Sequence, residues 1–425
     1  MQSLMPAKPA LTIAAPSQER TLRPYQDDIK KKVYDHWRKG VKSVLLIAGG
    51  GLGKTTVAAW IMRDRSIRAK RPARSIFLVE RNCLLGQAQK TLAELGVESG
   101  IIQGSRKVKW HHPCMVASLQ TLRSWSDAGK DVHKMLGKVG LFALDEAHKG
   151  VGQRSYQELC DLYANDDKCV FLGLTATPWR SKHDEYLGRW FEASVMSLQP
   201  PEAIKAGWLL TNRIFSLNGV FDVTKLKVTE EGEWDEGQMS RQAMRPEALQ
   251  IVVDNWIKFG ENRPTALFGS SVAQMKAQAK CFNENGIAAD WQDGKTPKKS
   301  NDPSVKTREN QERDLKSGKL KVLCSVGTID TGWDFPPLGC VCYVKKTKSK
   351  AGFFQAAWRG NRPYPGMDYY ILLDFGGNVG TDENPGHGNP MGYHDYDISE
   401  PRSRKKDDDA PMLKTCPNCD AEVSQ

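Results

Sequence analysis

AGGGLGKT, Ala48 to Thr55, lies between an apolar run, Val44-Leu-Leu-Ile47, and a stretch in which Val57, Ala58 and Ile61 recur at helical spacing. Strand, glycine loop, helix is the order a phosphate-binding loop needs. Glycines let backbone N–H groups approach phosphate oxygens, and the N-terminus of the following helix favours their charge. In that arrangement Lys54 reaches the β- and γ-phosphates and Thr55 holds Mg²⁺, with Gly51, Gly53 and Thr56 completing the cradle. Read as a bare glycine turn, the stretch would explain neither the lysine nor the threonine.

Working outward, short apolar runs recur at Ile76–Val79, Met115–Ala117, Leu141–Leu144 and Val170–Leu174. A second series occupies Thr265–Phe268, Lys321–Cys324, Val341–Val344 and Tyr370–Leu373. Continuous apolar runs that alternate with helical patterns predict parallel strands buried on both faces. The expected fold class is therefore α/β, with two lobes at about 21–196 and 246–380. Residues 1–20, broken by prolines, read as a flexible leader, residues 197–245 as a connector, and residues 381–425 as a loop-rich tail.

Two further motifs end predicted strands. Leu141-Phe-Ala-Leu-Asp-Glu-Ala-His148 places two carboxylates after an apolar run: Asp145 to orient Mg²⁺ and Glu146 to polarise an attacking water. Leu174-Thr-Ala-Thr-Pro178 forms a polar loop at the carboxyl end of a strand, where ligands gather in α/β sheets.

The formal net charge of +11 suits a polyanionic partner, since lysine and arginine neutralise phosphates and release counterions. No apolar run approaches the roughly 20 residues that span a bilayer, so no membrane partner is expected. Most of the ten cysteines sit inside apolar runs, as reduced thiols of a cytoplasmic protein do. Cys340 and Cys342 alternate along a strand as packing residues, and His111-His112 with Cys114 read as a loop detail. Cys416-Pro-Asn-Cys419 is half of a zinc ribbon, and two ligands do not close a Zn²⁺ site.

The order of phosphate loop, DEAH and TATP resembles the superfamily 2 helicases over about residues 21–380. LRPYQ, DEAH and the CPxC tail are most similar to RadD-like and phage-encoded DEAD/DEAH-box DNA helicases. The resemblance implies two tandem RecA-like parallel-sheet lobes with an ATP cleft between them. In Leu22-Arg-Pro-Tyr-Gln26 it assigns Arg23 and Gln26 to the nucleotide, with the glutamine on the adenine edge. It gives Asp334, near the end of Ser325–Asp334, to the same cofactor. His148, Thr175 and Thr177 become coupling residues between ATP and nucleic acid.

Nucleic-acid contacts, mostly to the phosphate backbone and with DNA preferred over RNA, are implied at Arg81, Asn82, Gln87, Ser118, Thr121, Ser270, Ser271 and Thr328. A monomer acting on DNA, with a protein partner at the tail, is the accompanying expectation. Gln355-Ala-Ala-Trp-Arg-Gly-Asn-Arg362 resembles the segment that supplies Gln355, Arg359 and Arg362 to the γ-phosphate. Trp358 stands where the family usually has glycine. An indole there reshapes the loop, stacks on a neighbour or obstructs the arginine. An RNA helicase, the motor subunit of a restriction or defence assembly, and a binding module with a weakened ATPase are the alternative readings.

Overall fold

The computed structural model describes residues 21–68, 73–80, 84–179, 186–230, 232–300, 302, 305–329, 333–381, 385–398, 413–415 and 422–424. The first lobe carries strands β1 (Ser43–Ile47), β2 (Arg74–Val79), β3 (Ser99–Ile102), β4 (Cys114–Ser118), β5 (Val139–Leu144), β6 (Val170–Thr175) and β7 (Ala193–Met196). They form one parallel sheet in the order β3-β4-β2-β5-β6-β1-β7. Its helices are α1 (Pro24–Arg38), α2 (Lys54–Arg63), α3 (Leu85–Ala93), α4 (Leu119–Asp127), α5 (Val132–Leu136), α6 (Ala147–Gly150) and α7 (Arg154–Leu162).

Strand β1 is apolar and buried from Val44 onward, and its two faces serve different cores. Val44 and Leu46 join Ile29, Val33 and Val57 on one face, while Leu45 and Ile47 join Phe142 and Phe171 on the other. Burial of both faces is what excludes polar residues from the run. With β1 flanked by β6 and β7 and α2 following it, the glycine loop is held at the carboxyl edge of the sheet.

The second lobe contains β8 (Thr211–Ser216), β9 (Thr265–Gly269), β10 (Ala289–Gln292), β11 (Val322–Ser325), β12 (Cys340–Val344) and β13 (Tyr369–Asp374). Strands β14 (Leu413–Thr415) and β15 (Glu422–Ser424) extend it, giving the order β10-β11-β9-β12-β13-β8-β15-β14. Pairing is parallel up to β8 and antiparallel across β15 and β14. Its helices are α8 (Pro200–Lys205), α9 (Glu236–Ala243), α10 (Pro246–Phe259), α11 (Val272–Glu284), α12 (Arg308–Ser317) and α13 (Lys350–Ala357).

Two expectations need correction. The segment 197–245 is more than a connector, because β8 within it pairs with β13 over six residues. Its sequence, TNRIFS, alternates exposed and buried positions at its start, so it lacks the continuous apolar signature of its neighbours. The segment after residue 380 is more than loose loop. Residues 385–398 run as a strap from the second lobe onto the first. Asn212 Nδ2 donates to Asn389 Oδ1 at 2.9 Å, Gln199 Nε2 to the His394 carbonyl at 2.8 Å, and Gly188 N to the Ile398 carbonyl at 2.8 Å. Tyr396 of the strap stacks on Trp179 of the first lobe at 5.5 Å, and His394 packs at 4.8 Å on Phe354 of α13. Aromatic residues separated by over two hundred positions thus form one seam between the lobes.

Candidate nucleotide and nucleic-acid sites

The cleft between the lobes has a volume of about 570 Å³. The first lobe lines it with Arg23, Gln26, the glycines 49–51 and 53, Lys54, Thr55, Thr56, Asp145 and Glu146. The second lobe contributes Asp334, Gln355, Trp358, Arg359 and Arg362. Every residue expected to handle ATP and Mg²⁺ therefore faces one cavity. Gly51 holds φ +95°, a backbone conformation that side chains disfavour. Its neighbour Gly50 is pressed by the second lobe: a Cβ there would lie 2.6 Å from the Trp358 Cβ.

Glu146 is the hub. It has φ 47°, left-handed geometry that a glutamate adopts at a cost of about 1–3 kcal/mol, found where function fixes a side chain. That turn directs the carboxylate at three partners. Lys54 Nζ lies 3.3 Å from Oε1, while Gln355 Nε2 of the other lobe donates to Oε2 at 3.1 Å. His148 Nδ1 is 3.5 Å from Oε2 and 2.9 Å from Thr175 Oγ1. Thr177 Oγ1 closes the circuit, 3.5 Å from His148 Nε2 and 3.4 Å from Gln355 Nε2. The three residues expected to couple ATP to nucleic acid thus meet the Glu146 carboxylate and Gln355 in one buried network.

Charge is divided unequally between the adjacent carboxylates. Burial pushes the Asp145 carboxyl above its usual range, with Lys54 opposing and the Glu146 charge adding to the rise. Burial acts on Glu146 in the same sense, but Lys54, His148 and Lys149 outweigh it and hold that carboxyl well below its usual range. Glu146 is consequently ionised, the state in which it accepts a hydrogen bond from water.

At the far end of the cleft Gln26 is already committed. Its Nε2 donates to the Leu52 carbonyl at 3.0 Å, and its Oε1 accepts from Arg23 N at 3.0 Å, capping α1. In this conformation Gln26 braces the phosphate loop.

The arginines are docked within their own lobe. Arg359 Nη1 donates to the Trp333 carbonyl at 2.7 Å, and Arg362 Nε to Asp334 Oδ1 at 3.1 Å. Trp358 is buried, its Nε1 bonded to the Pro390 carbonyl at 2.8 Å and its ring 5.4 Å from Phe354. The indole meets Phe354 edge-on and joins the interlobe seam, and both arginines line the cleft. Sequence reading missed Asn361, whose Nδ2 donates to the Gly50 carbonyl at 2.7 Å and whose own carbonyl accepts from Leu210 N. Its place between two arginines was the available signal.

The nucleic-acid candidates are less convergent. Arg81 and Asn82 lie outside the described residues, as do Cys416 and Cys419. Gln87 lines the nucleotide cleft. Ser118 is buried at the carboxyl end of β4, and Thr121 Oγ1 accepts from Gly104 N at 2.8 Å. Ser270 is buried, Ser271 caps α11 while sharing a hydrogen bond with Ser240, and Thr328 is bonded to Ser325. All five belong to loops or helix starts at strand carboxyl ends, yet their hydroxyls are spent on the fold or sequestered. Among the described residues no cluster of three or more His, Cys, Asp or Glu forms a metal site, and nothing supports Zn²⁺.

Fold and site define a two-lobed, phosphate-loop machine, and similarity to known proteins narrows the class. Residues 19–180 match the family described as "Type III restriction enzyme, res subunit". A "51.5 kDa protein" of Lactococcus phage (isolate 7-9) is 28% identical over 379 residues, which are 87% of this chain and 73% of the phage protein. The Saccharomyces cerevisiae protein named "Putative ATP-dependent helicase IRC3" is 25% identical over 375 residues, covering 83% of this chain and 51% of its own length. Among solved structures, the Type ISP restriction-modification enzyme LlaBIII bound to DNA superposes with a TM-score of 0.58 at 16% identity. That match covers 88% of this chain and 29% of the enzyme. Dbp5 of S. cerevisiae, bound to RNA and ADP BeF3, gives 0.52 at 14% identity, over 83% of this chain and 88% of Dbp5. The lobes are RecA-like. Over most of its length the chain is similar to superfamily 2 helicases, which are ATP-hydrolysing enzymes.

Proposed function

We propose that the chain is a motor that couples Mg-ATP hydrolysis to movement along DNA or to its remodelling, in the cytoplasm of a bacterial or phage-infected cell. It would serve replication, recombination or repair and act as a monomer on its track. The observation that carries this reading is the Gln355–Glu146 hydrogen bond. A side chain of one lobe completes the environment of the hydrolytic carboxylate on the other, so hydrolysis is tied to cleft closure.

In this reading Lys54 leaves Glu146 to meet the β- and γ-phosphates when nucleotide enters. Glu146, ionised and held by Gln355, orients the attacking water. Arg359 and Arg362 exchange their docked partners for charge developing on the transferred phosphoryl group. Thr55 and Asp145 offer a hydroxyl and a carboxylate in the same cleft, hard oxygen donors that fit Mg²⁺ alongside phosphate and water. When bound, the ion neutralises charge on the β- and γ-oxygens. Loss of the γ-phosphate weakens the attraction across the cleft, and the lobes part. Nucleic acid lying across both lobes is then gripped alternately, by backbone contacts with little base reading. The segments bearing Gln87, Ser118, Thr121, Ser270, Ser271 and Thr328 form the proposed track, after rearrangement of the hydroxyls now engaged.

The test is ATP turnover with single-stranded, duplex and forked DNA and with RNA of matched length. DNA is expected to stimulate turnover, with a steep loss as salt rises. Stimulation by RNA alone would replace DNA with RNA as the track. The match of residues 19–180 to a restriction-enzyme subunit family favours a second reading, in which this motor drives a defence assembly whose partner cleaves DNA.

A further inference from the structure

Away from the cleft, the second lobe lays an acidic turn on a lysine-rich one. Lys345-Lys-Thr-Lys-Ser-Lys350 follows β12 at the carboxyl edge of the sheet and leads into α13. The acidic stretch Glu230-Glu-Gly-Glu233 lies between β8 and α9. Lys348 N donates to Glu233 Oε2 at 2.9 Å, and Thr347 Oγ1 to Oε1 and Oε2 at 3.2 and 3.3 Å. Lys348 Nζ stands 5.0 Å from the ring centroid of the next residue, Trp234. A carboxylate is thus bound by a backbone amide and a hydroxyl inside a run of lysines.

The two sides of this contact are built differently. The lysine turn is braced: Thr347 N donates to Asn378 Oδ1 at 2.9 Å, the Thr347 carbonyl accepts from His387, and Ser349 N donates to Thr347 Oγ1 at 3.0 Å. The acidic side is a small hairpin closed by the Val228–Trp234 bridge, with Gly232 at φ +83° turning the chain. Val228 and Glu230 on it are exposed. A hairpin of this size has little stability of its own, so it can lift while Asp235 stays fixed at the start of α9 by accepting from Gln238 N. The contact also adjoins groups already described. Ser240 of α9 bonds Ser271, beyond β9, and β9 is the neighbour of β12. From the lysine turn, α13 runs to Gln355, which reaches Glu146.

We propose that the Thr347–Lys348 turn binds a backbone phosphate of the nucleic-acid strand, and that Glu233 occupies this site in the free protein as a latch the strand displaces. Phosphodiester and carboxylate are both singly charged and both accept hydrogen bonds through oxygen, so an amide and a hydroxyl that hold one suit the other. Phosphate has the further advantage that its counterions are released when lysine replaces them. The latch lowers affinity in proportion to the fraction of molecules in which the hairpin is lifted. The proposal rests on nucleic acid being the track of the motor. It adds a place where the second lobe holds the backbone and the side chain that guards it.

The experiment measures dissociation constants of the full chain for single-stranded DNA and RNA of matched length over a series of salt concentrations. The proteins compared are wild type, Glu233→Gln, Glu230→Gln and Lys348→Ala. Glu233→Gln keeps the shape of the latch and removes its charge, and should bind the strand about tenfold more tightly. Glu230→Gln removes the same charge from the exposed part of the hairpin and should stay within about twofold of wild type, since solvent screens it. Lys348→Ala should bind more weakly, with a salt slope shallower by about one. Unchanged or weaker binding by Glu233→Gln would overturn the proposal. So would an equal gain in Glu230→Gln, which would reduce the effect to net charge, or an unaltered salt slope in Lys348→Ala. Failure of wild type and every variant to bind either nucleic acid would instead remove the motor reading on which the proposal stands.

Discussion

Trp358 shows how one side chain changes the meaning of a motif. Its sequence position left three outcomes: a reshaped loop, stacking on a neighbour, or an obstructed arginine. In the fold the indole fills the seam between α13, the strap and Gly50, buried and hydrogen-bonded to Pro390. Trp358→Gly should therefore destabilise the protein by about 3–5 kcal/mol, the range for removing a large buried aromatic, without raising turnover. Urea denaturation and steady-state ATPase measured on the same preparation check both halves, and a faster, equally stable variant would count against the packing role. The residues lining the cleft around it were legible because each carries a side chain or backbone suited to phosphate or Mg²⁺ at a short offset from a strand. The commitments of Gln26, Thr121 and Ser271 were not legible. They depend on partners, Leu52, Gly104 and Ser240, that only folding brings near.

At the scale of elements, the strands buried on both faces announced themselves through unbroken apolar runs, and β8 did not. Its exposed Thr211 and Arg213 break the run, although it pairs with β13 near the end of the sheet. The loop beyond β13 was likewise opaque, since glycines and asparagines look alike in a solvated tail and in a tight buried turn. In that loop His387 Nε2 donates to the Thr347 carbonyl at 2.9 Å, and burial holds the imidazole below its ordinary 6.5. A depressed folded-state value means that the unfolded chain takes up the proton first. The contribution of His387 to stability is complete above 6.5 and is lost as pH falls through the folded value. Unfolding free energies measured at a series of pH values should decline through this window, and His387→Gln should decline less steeply. Identical slopes for the two proteins would show that this histidine is not a source of the decline.

At the scale of the whole molecule, two sheets are joined by the Gln355–Glu146 hydrogen bond, the Asn361–Gly50 contact and a strap. The strap's Tyr396, stacked on Trp179, is its last aromatic hold on the first lobe, and Gly188 receives it two residues later. Tyr396→Ala should loosen the lobes while leaving each sheet folded. In small-angle scattering of the nucleotide-free protein the radius of gyration is expected to increase, with far-ultraviolet circular dichroism unchanged. An unaltered radius would mean that Gln355, Asn361 and Trp358 hold the lobes without help from the strap. The strap has a further consequence for how the protein comes into being. Strands β1 to β13 all precede residues 385–398 in the chain, so during synthesis the first sheet and the parallel part of the second leave the ribosome before the strap. The nascent enzyme acquires its phosphate loop early and its seam late, so that two separately folded halves wait for a final stitch before they can work as one.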